Sequence, residues 1–138
     1  MLRWLHCVVG HAPMSFFSRL KTEDTGRTIK GRHVVRLLAD FTYTHRSSFS
    51  IDVTVPAGFE TDYASIPWWA RLVFSPTGDH RFAAVVHDWL CSKEAECDRA
   101  VGDAIFRQAM IDLDVPRWRI GWIYSAVRAW GWLKYHKR

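Results

Sequence analysis

The spacing of apolar residues changes once along this chain, and that change sets its fold class. Over residues 49–55, Phe49, Ile51, Val53 and Val55 alternate with Ser50, Asp52 and Thr54. This is the period-two pattern of a strand with one packed face and one wet face. Short runs rich in Val, Phe, Tyr and Thr precede it at residues 33–38 and 41–44, with Thr44-His45-Arg46-Ser47-Ser48 as a hairpin loop and an earlier short strand around residues 27–29. Pro56-Ala57-Gly58 ends the run of strands, and residues 59–67 follow as an irregular segment shaped by glycine and proline. Every later apolar pattern has a helical period. Strands first and helices after predict an α+β chain: a small N-terminal antiparallel β-sheet followed by a C-terminal bundle of three to four helices.

Breakers divide the helical half. Pro67 suits the first turn of a short helix carrying Trp68, Trp69, Leu72 and Val73, with Ser65 near its cap. Ser75-Pro76-Thr77-Gly78 ends that helix, and Asp79 caps a second over residues 80–91. The next helix has two candidate caps, Ser92 and Asp98. With Asp98, the preferred choice, residues 91–97 form a loop and the helix runs over 99–113. Val101, Ile105 and Ala109 then form one apolar row, and Phe106, Met110 and Leu113 an adjoining one. Val115-Pro116 opens the last helix, residues 117–134, in which Trp118, Trp122, Ala126 and Trp130 recur every fourth residue beside Ile123 and Val127. Arg119, Arg128 and Lys134 are available for another face. A tryptophan stripe of this kind is most often core; the other reading is a surface that docks on lipid or on a partner helix.

With 138 residues and 49% hydrophobic content, the chain has the size and core of one domain. Residues 15–138 are read as a single α+β domain and residues 1–14 as a flexible N-terminal extension. Histidines interrupt the short apolar stretch of that extension, and no small-residue cleavage site follows, so it does not read as a signal peptide. No segment reaches the roughly 18 apolar residues of a membrane span. Cys7, Cys91 and Cys97 are odd in number and lack a metal-ligand spacing, which fits a reducing cytoplasm; a Cys91–Cys97 pair is the alternative for an exported chain. The net charge of +5 permits anionic partners, whether nucleic acid, acidic lipid or acidic protein. No basic block or reader motif accompanies it, so nucleic acid is not the expected partner.

His87 and Asp88 interrupt an otherwise apolar helical segment, Ala83-Ala84-Val85-Val86-His87-Asp88-Trp89-Leu90. Two readings stand side by side. In one, the helix rolls from core to solvent there and the pair is a hydrogen-bonded structural feature. In the other, the pair is a reactive site, with histidine as a base near neutral pH and the carboxylate able to hold a cation. If the two helices form an antiparallel hairpin, His87 lies about 6 Å before the end of the first and Asp103 about 7 Å beyond the start of the second, at 1.5 Å per residue. At one level, Asp103 is the residue to receive the His87 ring N–H, while Asp98 serves as a cap. His80 shares a face with His87 but stands about 10 Å away along the helix. His6, His11, His33, His45 and His136 carry no spacing that argues for a site.

Several ordered motifs resemble a family of small proteins of unknown function encoded by tailed bacteriophages and prophages. They are Val55-Pro56-Ala57-Gly58-Phe59-Glu60-Thr61-Asp62-Tyr63-Ala64-Ser65-Ile66-Pro67, Pro76-Thr77-Gly78, Ala83-Ala84-Val85-Val86-His87-Asp88, Asp103-Ala104-Ile105-Phe106 with Ala109-Met110, and Val115-Pro116-Arg117-Trp118. The resemblance covers residues 16–133 and implies a viral context, in the bacterial host cytoplasm or with the virion, without implying a reaction.

A second resemblance is to the helical core of the phospholipases A2, where one helix carries His-Asp and another supplies an Asp that orients the histidine. Residue by residue it puts His87 as the base, Asp103 as its orienting carboxylate and Asp88 as a calcium ligand, with calcium stabilising the oxyanion of an attacked ester. Cys91 stands where that family has tyrosine, and no glycine-rich calcium loop precedes the helix. Asp62 and the carbonyls around residues 61–65 are the candidates to replace that loop, because calcium takes several oxygen ligands. The reading that follows is a calcium-assisted ester or lipid hydrolase working at a phospholipid surface. The alternative is a non-enzymatic tail or virion assembly factor, or a protein that binds a phage or host partner through its tryptophans.

Overall fold

The computed structural model describes residues 15–63 and 80–136. The short helix expected from Pro67, its cap Ser65, the break at Ser75–Gly78, the cap Asp79, Trp68 and Trp69, and the extension over residues 1–14 all lie outside the described residues. Within them the chain is α+β, with two three-stranded antiparallel sheets in the N-terminal half and three helices in the C-terminal half.

One sheet has the order β1-β4-β5, from Ser15–Phe17, Phe41–Arg46 and Ser50–Val55; the other has the order β2-β3-β6, from Thr22–Ile29, Arg32–Leu37 and Glu60–Thr61. The register Phe41↔Val55, Tyr43↔Val53 and His45↔Ile51 aims Phe41, Tyr43, Val53 and Val55 into the core. Thr42 meets Thr54 and Thr44 meets Asp52 on the wet face. β4 runs two residues further than the sequence suggests, to Arg46, so the loop shrinks to Ser47-Ser48-Phe49. The Arg46 guanidinium clasps the Asp52 carboxylate through two bonds of 2.8 Å and holds the hairpin closed. Phe49, expected to begin the strand, instead stacks on His45 with ring centroids 4.8 Å apart. β2 is eight residues long where only residues 27–29 were expected to be extended; a bulge interrupts its pairing with β3 between Asp24 and Thr28.

The helices are α1 (His80–Leu90), α2 (Arg99–Asp112) and α3 (Arg117–His136). Ala83, Ala84, Val85 and Val86 are all fully buried, so α1 is enclosed on every side over that turn, as a helix apolar all round must be. Phe41, Tyr43, Val53 and Val55 of the sheet share one core with this turn and with Phe106, Ala109 and Met110 of α2 and Ile120, Ile123 and Val127 of α3. Each large apolar side chain so buried contributes roughly 1.5–3 kcal/mol. Asp98 caps α2 by accepting the Ala100 N–H at 2.7 Å, and Ser92 is not the cap. At the far end Asp114 takes a left-handed conformation, φ 54°, while the N–H groups of Asp114 and Val115 bond back to Ile111 and Met110. This closes the carbonyl end of α2 and frees Pro116 to start α3.

The tryptophan stripe of α3 is rotated from its expected place. Ile120, Ile123, Ala126 and Val127 face the core, whereas Trp118, Trp122, Trp130 and Trp132 are 50–67% exposed. On a helix of 3.6 residues per turn, Trp118 to Trp130 at a spacing of four sweep about 120°, the same width as the arc of Ile120, Ile123, Ala126 and Val127, and the two arcs meet at Ala126. The mixed three-and-four spacing of the aliphatic residues holds one face, and that face packs.

Candidate functional site

His87 reaches its position because α1 is buried through the preceding turn and cannot present that side chain to solvent. The Asp98 cap fixes where α2 begins and therefore which of its residues faces back. Gly102 lies against the end of α1: a Cβ added there would stand 3.4 Å from Leu90 Cβ, in ordinary van der Waals contact. Asp103 then stands opposite His87, with Nε2 and Oδ1 2.6 Å apart and both side chains 1% exposed. Phe106, one turn on, covers the imidazole at a centroid distance of 4.7 Å.

The second Asp103 oxygen faces two arginines, Arg128 at 3.4 Å and Arg99 at 3.9 Å. Burial by itself raises the Asp103 pKa, but the bond from His87 and the charges of His87, Arg99 and Arg128 outweigh it and hold the carboxyl below its ordinary value. For His87, burial opposes the charge most strongly. The hydrogen bond to Asp103, together with Cys91 and the Asp88 charge, outweighs burial and pushes the pKa up to about 9. Nε2–H therefore donates to an ionised Asp103. The other nitrogen, Nδ1, is buried and has no hydrogen-bond partner among the described residues.

A second buried histidine gives the contrast. His45 uses both nitrogens: Nδ1 lies 2.8 Å from Asp112 Oδ2, and Nε2 lies 2.9 Å from the Ser47 hydroxyl. Asp112 also accepts from Tyr43 at 2.7 Å and from Gln108 at 3.0 Å. That network ties β4 to the last turn of α2. Buried polar groups are normally satisfied in this way; among the described residues His87 Nδ1 departs from that, as do Ser92 Oγ and Arg119 Nε.

The Thr61 hydroxyl donates to Asp88, and the Tyr63 N–H bonds to the same Thr61 oxygen at 3.0 Å. Tyr63 has φ 53°, a strained conformation for a bulky residue, and its pKa is raised by burial against the opposing charge of Arg81 and with that of Asp88. The strained corner of residues 61–63 thus lies against α1 beside Asp88. Asp62 takes two bonds from Arg32, at 2.8 and 3.0 Å. The structure therefore brings His87 and Asp103 together and gives Asp88 and Asp62 separate partners.

Cys91, Arg99 and Arg128 are participants that the sequence did not assign to the site. Cys91 lies one turn after His87 on α1, with Sγ 3.5 Å from Nε2; the i, i+4 spacing is the signal that would have found it. His87, Cys91 and Asp103 hold ligand atoms within 4.8 Å of one another, a nitrogen, sulfur and oxygen set that suits zinc rather than calcium. A cation there would replace the Nε2 proton and meet the charges of Arg99 and Arg128. A thiol relay is not arranged, because Cys91 and Asp103 approach the same ring nitrogen.

Residues 35–127, two-thirds of the chain, match the model of a family described as "Protein of unknown function (DUF1353)". The chain belongs to this family. The DUF1353 match spans the strands from β4 onward, α1 and α2, and hence His87, Asp88, Cys91 and Asp103. No curated protein and no solved structure matches the chain.

Proposed function

We propose that this DUF1353 protein is a phage- or prophage-encoded hydrolase of esters, most concretely of phospholipids, acting in the bacterial host cytoplasm or with the virion. The viral context rests on the ordered motifs that resemble proteins of tailed phages. One observation carries the chemistry: a buried histidine held to a carboxylate through Nε2 whose Nδ1 has no hydrogen-bond partner among the described residues. The ring is closed off in the structure, 1% exposed, so the reading requires the site to open to water and ester; in its neutral form Nδ1 of His87 then takes a proton from a water molecule as the water oxygen attacks the ester carbonyl. Asp103 steadies the imidazolium that results. Collapse of the tetrahedral intermediate then breaks the ester bond, and the departing alkoxide regains the proton from His87. Because the His87 pKa is raised to about 9, the base form grows in on the alkaline side.

Calcium enters this reading at Asp88, where the carboxylate and the Thr61 hydroxyl supply the hard oxygen donors it takes. Asp62 would join them on release from Arg32. Bound there, calcium would act as a Lewis acid toward the ester carbonyl.

The test is fatty-acid release from mixed phospholipids by wild type and His87→Asn, beside calcium calorimetry on wild type and Asp88→Asn. Alkaline release abolished in His87→Asn, with calcium binding lost in Asp88→Asn, supports the reading. No release from folded protein sinks it and leaves a structural His87–Asp103 pair. The second reading is a non-enzymatic assembly factor or host-target binder, which would use the exposed tryptophans of α3 as its contact surface.

A further inference from the structure

α3 has two apolar sides. Ile120, Ile123, Ala126 and Val127 pack inward, while Trp118, Trp122 and Trp132, each 58–67% exposed, and Leu133, 45% exposed, lie outward. At 100° per residue these four, with Ala129 and Ser125 among them, fall within about 100° of arc, and Trp118 to Trp132 spans about 21 Å of helix. An exposed apolar strip of that length is the kind of surface that marks an interaction site.

Charge selects the partner. Residues 115–138 hold six Lys and Arg and no Asp or Glu, whereas residues 1–114 hold thirteen basic and fourteen acidic residues. The chain's net +5 is therefore a +6 segment set against a remainder of −1. On the helical wheel Arg117 and Arg128 border the tryptophan strip on one side and Arg119 on the other. Arg119 also lies 5.2 Å from the centroid of the Trp118 ring. A second copy docked face to face would set like charge against like charge. The strip itself offers Ser125 as its polar side chain, little with which to fix the register of a protein partner, whose interfaces usually carry about ten hydrogen bonds. An anionic lipid surface asks for no register, and it accepts tryptophan at headgroup depth with arginine beside it.

We propose that the outer face of α3 docks on anionic phospholipid, with Trp118, Trp122, Trp132 and Leu133 entering the interface and Arg117 and Arg119 meeting the headgroups, while Arg128 stays with Asp103. The proposal rests on exposure and charge rather than on the reactivity of His87, so the two stand or fall separately.

The experiment is flotation of the full chain with vesicles of phosphatidylcholine alone and of phosphatidylcholine with phosphatidylglycerol, followed by tryptophan emission. Partitioning onto the anionic vesicles should exceed that onto neutral ones about 25-fold, from about fivefold for each of two arginines. It should fall steeply with salt and bring a blue shift. Trp118→Ser/Trp122→Ser/Trp132→Ser should abolish binding while leaving the circular dichroism and hydrolysis of a water-soluble ester as in wild type. Equal partitioning onto both vesicles, or binding unchanged in the triple variant, overturns the proposal. So does a concentration-dependent dimer that the triple variant abolishes, which would assign the strip to a second copy.

Discussion

His87 Nε2 lies 2.6 Å from Asp103 Oδ1, with both side chains sealed from solvent, so the pair keeps its proton between them over a wide pH range. Because the folded His87 pKa is raised from 6.5 to about 9, its stabilising contribution is fully present below pH 6.5 and is lost as pH rises through about 9. That shift corresponds to about 3 kcal/mol. Asp103, held low, works in the other direction: its contribution is present above the ordinary carboxylate range and lost in acid. Urea unfolding across this range should show the alkaline loss, and His87→Gln should flatten it.

Cys91 should act on His87 from one turn away. Its thiol is among the groups that raise the His87 pKa, so Cys91→Ala lowers that pKa while leaving the bond to Asp103 in place. NMR titration of the imidazole in the two proteins measures the difference. An unchanged midpoint would remove Cys91 from the site.

The fold was legible wherever one face of an element is buried and the other wet. β4 and β5 announce themselves by alternation, and the level match of His87 and Asp103 follows from helix rise once Asp98 is taken as the cap. β2 was largely missed because nearly all of its side chains are exposed, leaving no alternation to read. Arg128 was invisible as a partner of Asp103 because it comes from a third helix, and no local spacing encodes how α3 crosses α2. The tryptophans misled because their arc and the aliphatic arc have about the same width and meet at Ala126, so spacing alone does not say which one is buried.

Asp112 gathers three donors from two elements: Tyr43 and His45 on β4 and Gln108 on its own helix. Asp112→Ala leaves buried donors unpaired and should cost about 3 kcal/mol in chemical denaturation, against about 1 kcal/mol for Tyr43→Phe, which removes a single donor. Equal costs would mean that the carboxylate is not the hub.

Asp98→Ala removes the side chain that accepts the Ala100 N–H and should lower stability by about 1 kcal/mol. Asp98→Asn, which keeps an acceptor, should recover most of it. Amide exchange in the first turn of α2 reports the effect locally, and protection there that is indifferent to both substitutions would show that the tertiary contacts of α2 set its start without the cap.

The central claim is that His87 is fixed through Nε2 and reactive at Nδ1. Nitrogen-15 NMR of the His87 imidazole across pH tests it directly. The account predicts that Nε2 keeps its proton throughout, while Nδ1 loses its own with a midpoint near 9. A neutral ring that instead carries its proton on Nδ1, or a midpoint below 6.5, would contradict the account.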